Sequence, residues 1–355
     1  MNKHYSFIRL VVCYTVCVFF MVYCFYGTIQ FNNKTTPTFT DIFIKNTEKS
    51  DKNTEKTEKA EKNSSKDQKT AEKTESVSSK TQKSESVAVS NSAIKGKIVT
   101  RYISPYKAPQ SYGGVYMKNS TGTSVNIKQL LYKKLDFKIE KNSSPQVLII
   151  HTHTTETFMQ KDAEYYTADD KARTTDNNKN MAKIGSIIAK KLNDNGIKTI
   201  HDTTKHDYPE YTGSYTRAAK TITSYLKKYP SIKIVLDLHR DSVSADGGKA
   251  KLVTQINGKN AAQVMLVMGS QTGGITGFPN WKENLSLAFK LQQTIEAKYP
   301  TLARPLMLAS KKYNESLSKG SLLIEFGTEA NTLSEATYSA ELVGNSLVSL
   351  LNTLK

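Results

Sequence analysis

From Pro145 onward, short apolar runs alternate with longer segments whose apolar positions recur at helical spacing. "QVLII", "IKTI", "IKIVLDL", "RPLML" and "SLLIEFG" lack the in–out alternation of a half-exposed strand, so they predict strands buried on both faces. Between them, "NMAKIGSIIAKKLNDNG" puts Met181, Ile184, Ile187, Ile188 and Leu192 on one helical face, with Gly196 suited to the C-terminal cap. "SYTRAAKTITSYLKKYP" predicts a second amphipathic helix, stopped before Pro230. A long helix follows from Trp281 to Tyr299, and "SEATYSAELVGNSLVSLLNTL" is the closing helix. "AKLVTQINGKNAAQVMLVMGS" reads as a strand pair around Asn257-Gly258. Strands alternating with helices predict an α/β domain with a mostly parallel or mixed sheet flanked by helices.

The pattern before Pro145 differs. Residues 10–28 form an uncharged apolar run preceded by Lys3 and Arg9, long enough to span a bilayer. The basic flank keeps residues 1–9 in the cytoplasm, and the absence of an A-x-A site favours a retained anchor over a cleaved signal peptide. Residues 29–96 read as a disordered linker rich in Lys, Glu, Thr and Ser. No aromatic residue lies between Phe43 and Tyr102, so the segment cannot bury enough apolar surface to order itself. Residues 97–140 read as an irregular lead-in with one short helix at "SVNIKQLLYKK", and 97–355 as the folded domain.

Charge and cysteine content narrow the chemistry. The formal net charge is +18, yet from Asp41 to Glu85 eleven Lys face ten Asp plus Glu, so the excess sits mostly in the folded part. Such a domain suits polyanionic surroundings. No nucleic-acid motif is present, and an exported domain does not meet nucleic acid. Cys13, Cys17 and Cys24 are the only cysteines and all lie near the N-terminus. The domain therefore has neither a disulfide framework nor a thiolate metal site, and any metal must be held by His, Asp and Glu.

Those residues gather where α/β folds place their ligands, at the carboxyl ends of strands. One strand ends in "HTHTTE", one in "DLHRDS" and one in "IEFGTE". His153 and Glu156, three apart, can face one ion from a turn, and His239 completes a His₂Glu set with a fourth position open for water. Glu325 is then the candidate proton acceptor, and Asp237 or Asp241 can orient an imidazole. His151, two residues before His153, points to the same side on a continued strand and is a candidate partner or rival of it. Asp176 rivals Glu156, and His201 and His206 are weaker candidates on the same rim. Each of these residues also has an ordinary structural reading, and it is their coincidence at three strand ends that points to a metal hydrolase.

"LIIHTHTTETF", "YTGSYTRAAKTI", "IVLDLHRDS" and "SLLIEFGTEANTLSEA", in that order and joined by the "NWKENLSLAFKLQQTIE" helix, resemble the stage II sporulation protein P family from about residue 100 to the C-terminus. The anchor and polar linker fit that family's architecture. The resemblance implies a zinc-dependent cell-wall hydrolase with a phosphorylase/hydrolase-like fold. It would cleave peptidoglycan amide bonds as an N-acetylmuramoyl-L-alanine amidase and stem-peptide endopeptidase during spore engulfment. It would work beside stage II sporulation proteins D and M, at the membrane and outside the cytoplasm. His153, His239 and Glu325 fall on positions of the wider zinc amidases, whereas their Glu ligand follows after a longer gap than Glu156 does. Under this reading Arg240 and Arg217 are candidates for binding substrate carboxylates, and Tyr215 either stacks on sugar or packs in the core. An inactive wall-binding or adaptor domain of the same fold is the alternative, and metal content and released fragments separate the two.

Overall fold

The computed structural model describes residues 94–141 and 144–354. The expected cytoplasmic tail 1–9, the anchor 10–28 and nearly all of the linker 29–96 lie outside these residues. Among the described residues, no helix is long and apolar enough to cross a membrane.

Regular structure begins inside the expected linker. Strand β1 (Ile94–Arg101), β2 (Gln110–Tyr112), β3 (Val115–Asn119) and helix α1 (Ile127–Tyr132) come from the segment read as an irregular lead-in. Then follow β4 (Val147–Ile150), β5 (Tyr165–Thr167), α2 (Met181–Asp194), β6 (Thr199–His201), α3 (Ser214–Lys228) and β7 (Ile234–Asp241). Next come β8 (Ser244–Ala245), β9 (Gly248–Ile256), β10 (Lys259–Ala262) and β11 (Val264–Gly269). The chain closes with α4 (Trp281–Lys298), β12 (Leu306–Ala309), β13 (Ser321–Thr328) and α5 (Leu333–Asn352). Helices α1, α2 and α5 start where a side chain satisfies their free N–H groups. Asn180 accepts from Ala182 at the head of α2, and Thr332 and Glu335 form a reciprocal capping box at the head of α5. Asn257 (φ 50°) and Gly258 (φ 73°) take the left-handed conformation that the β9–β10 hairpin requires.

The larger sheet is mixed, in the order β2-β3-β12-β11-β13-β7-β4-β6. Strands β6, β4, β7 and β13 run parallel, while β11 pairs antiparallel with β13. β12 and β3 follow the direction of β11. One face of β4, β7 and β13 (Val147, Ile149, Ile234, Leu236, Leu238, Leu322, Ile324, Phe326) packs in the main core with residues of α2, α4 and α5. The opposite face carries Leu148, Ile150 and Val235 under Ala218 and Ile222 of α3.

A smaller sheet, β10-β9-β1-β5 with β8 on β9, is joined to the end of β13 through Asn331. The Asn331 side chain exchanges hydrogen bonds with the backbone of Leu252 in β9, accepts from the Thr328 amide and donates to Glu335. Gly327 (φ 60°) makes this approach possible, because a Cβ there would lie 2.6 Å from Asn331 Oδ1.

Candidate metal and hydrolase site

Strand register supplies the first half of the site. In the parallel pair β7–β13, His239 stands opposite Glu325 and Asp237 opposite Leu323, so Asp237, His239 and Glu325 share the face that carries α3. The second half comes from the loop after β4. The strand stops at Ile150, and the chain turns so that the Glu156 amide donates to the His153 carbonyl at 3.2 Å. Asp237 pins this turn by accepting from the Thr152 amide at 2.8 Å and the Thr152 hydroxyl at 2.6 Å. His153 and His239 are thereby brought edge to face, with ring centroids 5.2 Å apart. Glu156 Oε2 accepts from the Arg240 amide at 3.2 Å and lies 3.7 Å from His239 Nδ1. Asp176, the rival carboxylate, is half-buried and pairs with Lys179. The structure therefore puts Glu156, not Asp176, beside His239.

The electrostatics follow from burial and proximity. Burial opposes charge on His239, but Asp237, followed by Glu156 and Glu325, raises its pKa to about 10. Burial and then the charges of His239 and Arg173 hold His153 well below the usual range. Burial, reinforced by Asp241 and Glu156, lifts Glu325 to about 8. Asp237 is lowered despite its burial, by His239 and by the two Thr152 bonds. His239 Nε2 lies 2.9 Å from Asp237 Oδ1, but its N–H misses the oxygen, so the contact is ionic attraction rather than a directed hydrogen bond. Asp241 does not orient an imidazole and pairs instead with buried Arg304 at 2.9 Å. Tyr211 stacks on His153 and Tyr215 meets the same ring edge-on, so both tyrosines wall the site.

Several candidates take other roles. His151 does not share a side with His153. His151 keeps the face of Val147 and Ile149, against α2, where Nε2 meets His201 Nε2 at 2.9 Å and Nδ1 meets the Leu238 carbonyl at 3.1 Å, and it is the turn after β4 that carries His153 to the opposite face. His206 is buried and bonds the His151 carbonyl and Thr221. His201 lies on the α2 face, away from the rim, and both ring nitrogens of His206 are bonded within the fold. The two arginines read as substrate ligands are scaffolding. Arg240 is buried and donates to the carbonyls of Thr157, Asp241 and Ala172. Arg217 donates to the carbonyls of His206, Thr212 and Glu210, which shapes the 206–212 loop. Arg173, Asp207 and Tyr211 were not foreseen as site residues. Arg173 lies between the apolar runs, where periodicity gives no signal, although Tyr211 opens the quoted "YTGSYTRAAKTI".

The donors fit a zinc ion in type and spacing. His153 Nδ1, His239 Nε2 and Glu325 Oε2 are buried without a hydrogen-bond partner, although His239 Nε2 has the ionic attraction of Asp237. Two imidazoles on one tetrahedral zinc, each nitrogen ~2.0–2.1 Å from the metal, have centroids about 5 Å apart, close to the spacing of His153 and His239. Among the described residues, no group of three or more His, Cys, Asp or Glu is already closed around a single point, so binding requires side-chain adjustment.

Comparisons with known proteins place the chain. Stage II sporulation protein P of Bacillus subtilis (strain 168) is 28% identical over 205 residues, which is 55% of this chain and 48% of that protein. The match thus spans about half the length of that relative. Among solved structures, an N-acetylmuramyl-L-alanine amidase of Mycobacterium abscessus in its apo form aligns with 12% identity and a TM-score of 0.34, covering 59% of this chain and 99% of that one. The CwlD amidase of Clostridioides difficile, in complex with the GerS lipoprotein, aligns with 10% identity and a TM-score of 0.38 over the same shares. Scores this low bear on neither the fold nor the chemistry of this chain. The family model of stage II sporulation protein P matches residues 24–347, and the chain belongs to that family.

Proposed function

We propose that the chain is a zinc-dependent hydrolase of peptidoglycan amide bonds, acting as an N-acetylmuramoyl-L-alanine amidase and stem-peptide endopeptidase in spore engulfment. The observation that carries this reading is the meeting of His153, Glu156, His239 and Glu325 from three strand ends, with unpartnered buried atoms on His153, His239 and Glu325. His153, Glu156 and His239 would hold the ion, which when bound polarises a carbonyl and acidifies water. Asp237 holds the Thr152 turn and attracts the His239 ring at Nε2. Glu325, lifted towards neutrality, accepts a proton from the attacking water and returns it to the leaving amine. Tyr211 and Tyr215 narrow the site and keep bulk water from the reacting bond. The positive charge of the domain suits a wall bearing acidic polymers.

The apolar run at 10–28 supports a membrane anchor that leaves the domain outside the cytoplasm, and family membership supports work beside stage II sporulation proteins D and M. The test is digestion of purified sacculi by the full-length chain with metal content measured in parallel. The expected result is about one zinc per chain and soluble muropeptides with newly freed amino groups, both lost in His239→Ala. A zinc-free chain that binds sacculi and releases nothing establishes the wall-binding alternative instead.

A further inference from the structure

Arg173, Asp207 and Tyr211 take no part in the proton transfers above, yet they are tied to the same turn as His153. The Asp207 side chain is fully buried and accepts from the Thr155 amide at 3.2 Å, the Thr155 hydroxyl at 2.6 Å and Arg173 Nη1 at 2.6 Å. The Arg173 backbone pairs with Glu156, and its Nη2 lies 3.8 Å from Glu156 Oε1. Its guanidinium sits 4.6 Å from the centroid of the Tyr211 ring. That ring lies 4.7 Å from the His153 ring at an interplanar angle of 15°, and the Tyr211 hydroxyl is 3.3 Å from His153 Nε2.

A neutral imidazole carries one N–H, and which nitrogen holds it is set by the partner of the other. With the proton on Nδ1, a buried donor would have no acceptor, because Nδ1 has no partner. With the proton on Nε2, the donor meets the Tyr211 oxygen and Nδ1 keeps a free lone pair. We propose that Tyr211 and Arg173 are positioning residues that fix the ring plane and tautomer of His153, with Nε2–H donated to Tyr211 and the lone pair held at Nδ1. This rests on the zinc reading only for its metal-affinity arm.

The experiment uses the full-length chain labelled with 15N at its six histidines, the His153 signal being the one lost in His153→Asn. In metal-free protein at neutral pH, long-range 1H–15N spectra should show His153 as the Nε2–H tautomer. Tyr211→Phe, which keeps the ring and removes the oxygen, should shift it towards Nδ1–H and weaken zinc binding, measured by chelator competition, by roughly 10–100-fold. Arg173→Met should weaken zinc binding in the same direction, with Arg173→Lys partly restoring it. An Nδ1–H tautomer in the unmodified chain overturns the inference. So does an unchanged tautomer in Tyr211→Phe, even if zinc binds, and that outcome leaves the proposed function standing. A chain that binds no zinc but shows the Nε2–H tautomer, lost in Tyr211→Phe, supports the inference and overturns the zinc reading.

Discussion

Two groups of histidines flank the end of β4, one on each side of the sheet, and their first members are two residues apart. On the α2 side, His151 and His201 are partnered with each other's rings, and His151 also with the Leu238 carbonyl, while His206 bridges the His151 carbonyl and Thr221 of α3. On the α3 side, His153 and His239 each leave a buried nitrogen unmatched, and Glu325 leaves an oxygen. The first group has the bonding of a structural network. The second leaves buried atoms without hydrogen bonds that a ligand would satisfy. Sequence proximity does not distinguish a histidine that holds the fold from one that works.

This contrast can be broken from either side. The largest expected effects are on the α3 side. His239→Ala should abolish release of fragments from sacculi, and Glu325→Gln should lower the rate by ~10²–10⁴-fold, with melting curves close to that of the unmodified chain. A Glu325→Gln chain of normal activity would remove Glu325 from the chemistry. On the α2 side the effect should be on stability instead. A Cβ at Gly185 would lie 2.3 Å from His201 Nε2 and 2.6 Å from His151 Nε2. Gly185→Ala should therefore cost about 1–3 kcal/mol by overpacking, offset by at most about 1 kcal/mol of helix propensity. Denaturant melts would show this, while activity per folded molecule stays constant.

Acid should find the same group. Burial lowers the pKa of His201 to about 4, against ~6.5 in an unfolded chain. The unfolded chain therefore binds the extra proton between those values. Stability from this group is fully present above pH ~6.5 and falls, by something on the order of 1–3 kcal/mol, as pH drops towards 4. His201→Gln should flatten that slope, and an unchanged slope would mean that other groups carry it. The smallest effect sharpens the choice of carboxylate. Asp176→Asn should leave hydrolysis within about twofold, as expected for a surface residue. Glu156→Gln should strip zinc.

Much of this was readable from the chain. The four long helices, the Asn257-Gly258 hairpin and the joining of His153, Glu156, His239 and Glu325 follow from periodicity and from the rule that ligands meet at strand ends. The direction of β11 was not readable, because "VMLVMG" is equally apolar whether its neighbour runs with it or against it. Strands β1 to β3 hid in a lead-in rich in exposed polar and tyrosine positions, where the apolar signal is weak. The side to which His153 points depends on where β4 stops: a continued strand would leave it beside His151 on the α2 face, and the turn after Ile150 carries it across. Arg240 and Arg217 looked like substrate ligands because a guanidinium in sequence does not show whether backbone carbonyls already surround it.

The Asn331 clamp bears on how such chains can diverge. One side-chain amide divides its bonds among the small sheet, the end of β13 and the first turn of α5. Residues cannot be gained or lost between Thr328 and Thr332 without uncoupling all three from the strand that carries Glu325. At the β9–β10 tip, by contrast, a Cβ built on Gly258 meets only open space. Descendants are free to lengthen that tip, while the short join after β13 acts as a ruler of fixed length.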